Sequence, residues 1–126
     1  MNYIIDTHIL IWFIEGNTNL SQQAQKLIAN PAHNIYVSQA SLWEMTIKIS
    51  IRKLSLSISL SELELFLINN QFKILEAKFS HYEVLQHLPF HHQDPFDRLI
   101  IAQAKAEDYL IVTNDNRFKL YNVKLV

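Results

Sequence analysis

Apolar and polar positions follow two rhythms along the chain. Short β-branched or aromatic runs, each bounded by polar or turn-forming residues, occupy positions 3–5, 35–37, 72–75, 110–113 and 123–126 and predict five strands. Between them apolar residues recur every three or four positions over 7–14, 21–29, 39–52, 61–69, 81–88 and 95–107, the spacing of amphipathic helices. Strands alternating with helices imply an α/β fold with a mostly parallel central sheet. Its parallel pairs need crossovers, and helices cover both of its faces. Ser55, Ser57, Ser59 and Ser61 alternate with Leu56, Ile58 and Leu60 around a connection, but no repeat or linker interrupts the pattern. Residues 1–126 therefore read as a single domain.

Composition narrows the chemistry. With one glycine, Gly16, the chain lacks the glycine-rich loops that P-loop and dinucleotide-binding folds place against phosphate. With no cysteine it has no thiol nucleophile, Fe–S cluster or Cys-ligated zinc. Eleven basic and twelve acidic side chains give a net charge of −1, without the basic footprint of a non-specific duplex binder. The start has no basic n-region, and the apolar run at 9–14 falls far short of the roughly 20 residues of a membrane span. The expectation is a cytoplasmic protein with no membrane partner.

Strand ends and helix starts share one edge of a parallel sheet, and ligands bind there. Asp6 follows the first strand, Glu44 lies in the second turn of the helix after the second, Asp97 opens the helix before the fourth, and Asp115 closes the fourth. Local roles compete for most of them. Asp6 is a favourable N-cap for a helix from Thr7. Asp94-Pro95-Phe96-Asp97 has the form of a cap, a proline at N1 and an acid at N3, and Asn114-Asp115-Asn116 is a run of turn formers. Glu44 resists such an explanation, because its helix carries apolar residues on two faces. An exposed i,i+4 pair with Lys48 contributes only about 0.3–0.5 kcal/mol, which does not offset desolvation. A cation shared with other carboxylates would. An oxygen-only donor set suits Mg²⁺ or Mn²⁺. A histidine zinc site is disfavoured, since Pro89 separates His87 from His91, whereas His91 or His92, just ahead of Asp94, is placed to orient an acid or touch substrate. Arg98 and Lys105 form a stripe that reads as a solvated face.

Four segments then carry a resemblance: Tyr3-Ile4-Ile5-Asp6-Thr7-His8; Val37-Ser38-Gln39-Ala40-Ser41-Leu42-Trp43-Glu44; His92-Gln93-Asp94-Pro95-Phe96-Asp97-Arg98-Leu99-Ile100-Ile101-Ala102-Gln103-Ala104; and Thr113-Asn114-Asp115. In order and spacing the chain resembles PIN-domain ribonucleases of the VapC-like toxin group. The resemblance implies a three-layer PIN-like fold and a Mg²⁺- or Mn²⁺-dependent endoribonuclease, usually a homodimer, neutralised by a cognate antitoxin. It implies that Asp6, Glu44, Asp97 and Asp115 are the catalytic, metal-binding acids, with Asp94 an additional ligand or a cap. It implies products ending in 5′-phosphate and 3′-hydroxyl. Ser38 and Thr113 stand where small hydroxyls would bond the carboxylates. Lys48, Arg98 and Arg117 are phosphate contacts or solvated charges, and Trp12, Phe90 and Phe96 are rings for unpaired bases or core residues. Where this group has a glycine before Lys53-Leu54, the chain has Arg52, which puts the local turn in question. The competing functions are a phosphohydrolase or phosphotransfer domain using Asp6 as nucleophile, and a catalytically silent docking module.

Overall fold

The computed structural model describes residues 1–126. The chain runs β1 (Asn2–Ile5), α1 (Thr7–Glu15), α2 (Gln22–Ala29), β2 (Asn34–Ser38), α3 (Gln39–Ser50), α4 (Leu60–Asn69), β3 (Lys73–Leu75), α5 (Phe79–Gln86), α6 (Pro95–Glu107), β4 (Leu110–Val112) and a 3-10 helix at Asn116–Tyr121. The four strands form one sheet in the order β3-β2-β1-β4, every pair parallel. The central strand β1 is held in register by Ile5 opposite Val37 on one side and Val112 on the other.

Side chains alternate across the sheet and so divide the interior into two cores. Tyr3, Ile5, Ile35, Val37 and Val112 face Ile9, Leu10, Ile28, Leu63 and Leu67 of α1, α2 and α4. Ile4, Ile111 and Leu75 face Ala40, Ile100 and Ile101 of α3 and α6, closed by Phe118 and Tyr121. Ile4 and Ile5 are both fully buried, which requires helices on each face.

The fifth predicted strand, 123–126, reduces to a single parallel bridge between Ile111 and Leu125. Asn122 leaves the 3-10 helix in a left-handed conformation (φ 53°) and turns the chain along the outer edge of β4. There Ile111 N–H donates to the Lys124 carbonyl and Val126 N–H to that of Ile111. The helix predicted to reach Arg52 ends at Ser50, and Arg52 itself takes a left-handed conformation (φ 60°), supplying the geometry that a glycine would adopt without strain.

Candidate active site

The C-terminal edge of the sheet gathers four helix starts. Asp6 caps α1, Ser38 caps α3, Asp94 caps α6 and Asp115 caps the 3-10 helix, each accepting a backbone N–H through its side-chain oxygen. Helix N-termini carry partial positive charge, so the fold itself draws acids to this rim.

Each acid is held differently. Buried Asp6 accepts from Ile9 N–H at 2.8 Å through Oδ1 and from the Thr113 hydroxyl through Oδ2. Glu44, also buried, accepts from Thr7 Oγ1 at 2.8 Å and pairs with Lys48 Nζ at 2.6 Å. Asp97 Oδ2 lies 3.3 Å from His92 Nε2 and 3.6 Å from an Arg117 nitrogen. Asp115 accepts from the Arg117 backbone and guanidinium, the closest contact being 2.6 Å.

Their electrostatics divide the acids. Burial pushes the Asp6 carboxyl above the usual range, opposed by its hydrogen bond from Thr113 and reinforced by the charge of Asp115. Asp97 is pushed up to about 6, first by burial and then by the neighbouring charge of Asp94, with Glu44 and Asp6 adding to it against the hydrogen bond from His92. Asp115 is lowered, chiefly by its hydrogen bonds from Arg117. Asp6, Glu44, Asp97 and Asp115 thus share one field, in which Asp97 is the acid most affected by its like-charged neighbours.

The donors, all carboxylate oxygens, and their mutual repulsion fit a hard divalent cation in chemical character. No three His, Asp or Glu side chains are gathered into a metal-holding group, and Lys48 and Arg117 offset only part of the acids' charge in this arrangement. Asp94 accepts from both Phe96 N–H and Asp97 N–H through Oδ1, so it is the α6 cap.

Several expectations change. Arg98 does not lie on a solvated face with Lys105: it is 5% exposed, and its guanidinium donates to the carbonyls of Leu88 and Pro89 and to the Tyr121 hydroxyl. The irregular segment 87–94 needs internal donors for its carbonyls, and the arginine fork supplies them. This inward orientation removes Arg98 from the positions open to a phosphate. Ser38 also turns inward, donating to Gln103 Oε1 at 2.5 Å rather than meeting the carboxylates. Its expected place is taken by Thr7, which bonds Glu44 and lies 2.9 Å from Ser41 Oγ. Thr113 does bond Asp6 and also accepts from Asp115 N–H, bridging two acids. Lys48 reaches Glu44 as an ion pair. Of the rings, Phe90 is 78% exposed with its face on the Arg98 guanidinium, whereas Trp12 packs against the core. Phe96 meets Trp43, a 63% exposed ring that the pattern of residues did not single out.

The sequence reading missed Thr7, Ser41 and Tyr121. Thr7 carried a local signal, since it directly follows an acid at a strand end. Tyr121 carried none, because its relation to Asp97 runs through the His92 ring and exists only in the folded chain.

Parallel strands feeding carboxylates and capped helix starts to a single rim define an acid-edged α/β domain. The chain belongs to the PIN domain family, whose model matches residues 3–124. PIN domains are generally nucleases, and they typically use divalent metal ions. No curated protein is matched by the chain. Among solved structures it is similar to a chain in the DNA-bound VapBC2 complex of Rickettsia felis, with TM-score 0.74, 21% identity, and coverage of 100% of this chain and 98% of that one. It is similar to a chain of VapBC-1 from nontypeable Haemophilus influenzae, with TM-score 0.70, 17% identity, and coverage of 100% and 97%. FitAcB from Neisseria gonorrhoeae matches with TM-score 0.69, 16% identity, and coverage of 98% and 95%. Likeness at these identities establishes the fold. No helix is long and apolar enough to cross a membrane.

Proposed function

We propose that this chain is a Mg²⁺- or Mn²⁺-dependent endoribonuclease and the toxin of a toxin–antitoxin pair, working in the cytoplasm as a homodimer neutralised by a cognate antitoxin. The observation that carries the catalytic reading is the shared field of Asp6, Glu44, Asp97 and Asp115, in which Asp97 is raised to about 6 by burial and by its neighbours' charge. A rim of this kind repels a phosphodiester unless positive charge enters it. Similarity to the VapBC structures supports the toxin role and the antitoxin partner.

In this reading Asp6, Glu44, Asp97 and Asp115 would hold the cation, with Asp94 adding charge from the α6 cap. When bound, the cation would supply charge neutralisation at the phosphate and acidification of a water; in-line attack on phosphorus by the resulting hydroxide would break the P–O3′ bond, the departing 3′-oxygen taking up a proton, and leave 5′-phosphate and 3′-hydroxyl ends. Thr7 and Thr113 fix the rotamers of Glu44 and Asp6 by hydrogen bonding. Lys48 and Arg117, both partly exposed at the edge of the acid group, are the cationic side chains placed to meet flanking phosphates. His92 holds Asp97. Unpaired RNA suits exposed rings better than duplex, since bases must splay out to stack.

The test is cleavage of a mixed panel of structured RNAs by the purified chain in Mn²⁺ or Mg²⁺, with EDTA and the Asp6→Asn and Glu44→Gln variants as controls. Cleavage that EDTA and both substitutions abolish is the expected result. Metal-independent cleavage, or full activity in both variants, refutes the reading.

A further inference from the structure

Tyr121, at the end of the 3-10 helix, is buried beneath the acid rim, and its hydroxyl is the meeting point of four groups. The backbone N–H of His92 donates to it at 3.0 Å and an Arg98 NH1 at 3.3 Å. His92 Nδ1 lies 2.6 Å away and the His92 carbonyl oxygen 3.3 Å away. A tyrosine hydroxyl oxygen has two lone pairs and one proton. The two N–H donors use the lone pairs, so the proton is all that remains for the other two contacts. Nδ1, nearer by 0.7 Å, takes it. Were the ring proton on Nδ1 instead, the hydroxyl oxygen would have to accept three donors. In the neutral ring Nδ1 is therefore bare and Nε2 carries the proton. That Nε2 faces Asp97 Oδ2 at 3.3 Å.

We infer that Arg98 and Tyr121 fix His92 as an Nε2–H donor that orients the Asp97 carboxylate, which makes Tyr121 and His92 positioning residues for the acid rim. The consequence for catalysis rests on the nuclease reading above; the hydrogen-bond order does not. The arrangement links three distant pieces of chain. Arg98 ties the segment 87–94 to α6 through the Leu88 and Pro89 carbonyls, and Tyr121 enters from the 3-10 helix that Asp115 caps. Asp97 and Asp115 are thereby indexed to each other through buried polar contacts as well as through the exposed Arg117. A hydrogen-bonded histidine transmits orientation only in the correct tautomer, and buried supporting partners of this kind typically change metal affinity or activity by about 10–100-fold when altered.

Long-range ¹H–¹⁵N spectra of the metal-free full chain, recorded at alkaline pH where the imidazole is neutral, report the tautomer directly. His92→Gln identifies the His92 signals by their disappearance. The expected wild-type pattern has Nε2 protonated and Nδ1 bare; Tyr121→Phe, which keeps the packed ring, is expected to yield a mixture or the opposite tautomer. In Mn²⁺-dependent RNA cleavage, Tyr121→Phe is expected to lower kcat about 10-fold with little change in KM. His92→Gln, whose amide can place an N–H near the former Nε2, should retain more activity than His92→Asn, whose amide cannot reach. A wild-type Nδ1–H tautomer, an unchanged tautomer in Tyr121→Phe, or equal activity of the two His92 variants overturns the proposal. If wild type cleaves no RNA, the nuclease reading fails and the tautomer spectra alone decide the inference.

Discussion

Asp97→Asn removes the acid most affected by its neighbours, and the variant should be more stable than wild type when no divalent cation is present. In the folded chain burial and the charges of Asp94, Glu44 and Asp6 outweigh the help of His92 and raise Asp97 from 3.8 to about 6. Because the folded state holds this proton more tightly than the unfolded state, there is no penalty below about pH 4. The cost grows as pH rises from there through about 6. At pH 7.5 a full shift of that size corresponds to about 3 kcal/mol, which screening at a partly solvated rim reduces to roughly 1–3 kcal/mol. Asparagine relieves this cost and forfeits about 0.3–1 kcal/mol of favourable interaction with the α6 dipole. The net gain is about 1–2 kcal/mol, or a rise in Tm of roughly 3–8 °C for a domain of this size. Thermal melts in EDTA at pH 7.5 and pH 4 measure it, and the gap between variant and wild type should close at the lower pH. Under the proposed cation site, millimolar Mn²⁺ should raise the wild-type Tm much more than that of the variant, because binding stabilises only the state that holds the ligand. A variant that melts below wild type in EDTA at both pH values would show that Asp97 serves the helix start and refute the electrostatic argument.

Other perturbations test separate parts of the structure. Arg52→Gly should stabilise the chain by about 1 kcal/mol in urea unfolding, since Arg52 holds a left-handed backbone that disfavours any residue with a Cβ; no gain would mean that the turn carries no strain. Arg98→Ala should cost about 3 kcal/mol or more by leaving the Leu88 and Pro89 carbonyls without their donors, and Arg98→Lys should recover only part of it because an ammonium lacks the fork; denaturant midpoints of both variants decide this. Induced expression should arrest growth and Asp6→Asn should relieve the arrest at equal protein level; equal toxicity of the two would separate toxicity from the acids.

The helical and strand periods made most of the fold legible, because burial on both faces of a parallel sheet leaves continuous apolar runs such as Tyr3-Ile4-Ile5. The same rule misled at 123–126, where an apolar run follows a left-handed turn and touches β4 at one bridge. The acids were legible from their places at strand ends and helix starts. Their partners were less so. Arg98 looks like a surface charge on a helical wheel, and only the carbonyls of segment 87–94, presented by tertiary structure, turn it inward. Ser38 was expected among the carboxylates because the resemblance puts a small hydroxyl at that strand end, but Gln103 lies within reach on the other side. Tyr121 is separated from His92 by 29 positions, and no periodicity carries such a relation.

Capping and catalysis were competing explanations for these acids, and the oxygen atoms show how far one residue can serve both. Asp6 spends Oδ1 on Ile9 and Oδ2 on Thr113, and Glu44 spends its two oxygens on Thr7 and Lys48. Asp115 is engaged at both oxygens by Arg117. Asp94 caps α6 through Oδ1 alone, while Asp97 meets His92 and Arg117 through Oδ2 alone. Oδ2 of Asp94 and Oδ1 of Asp97 are therefore the oxygens not engaged by a hydrogen bond or ion pair. Carboxylate oxygens accept through more than one lone pair, so those already bonded to hydroxyls retain capacity, whereas those facing Lys48 and Arg117 are matched to full positive charges. In the proposed reaction Asp94 and Asp97 would therefore offer a cation their unmatched oxygens, while Lys48 and Arg117, an ammonium and a guanidinium already at the rim, would meet the flanking phosphates.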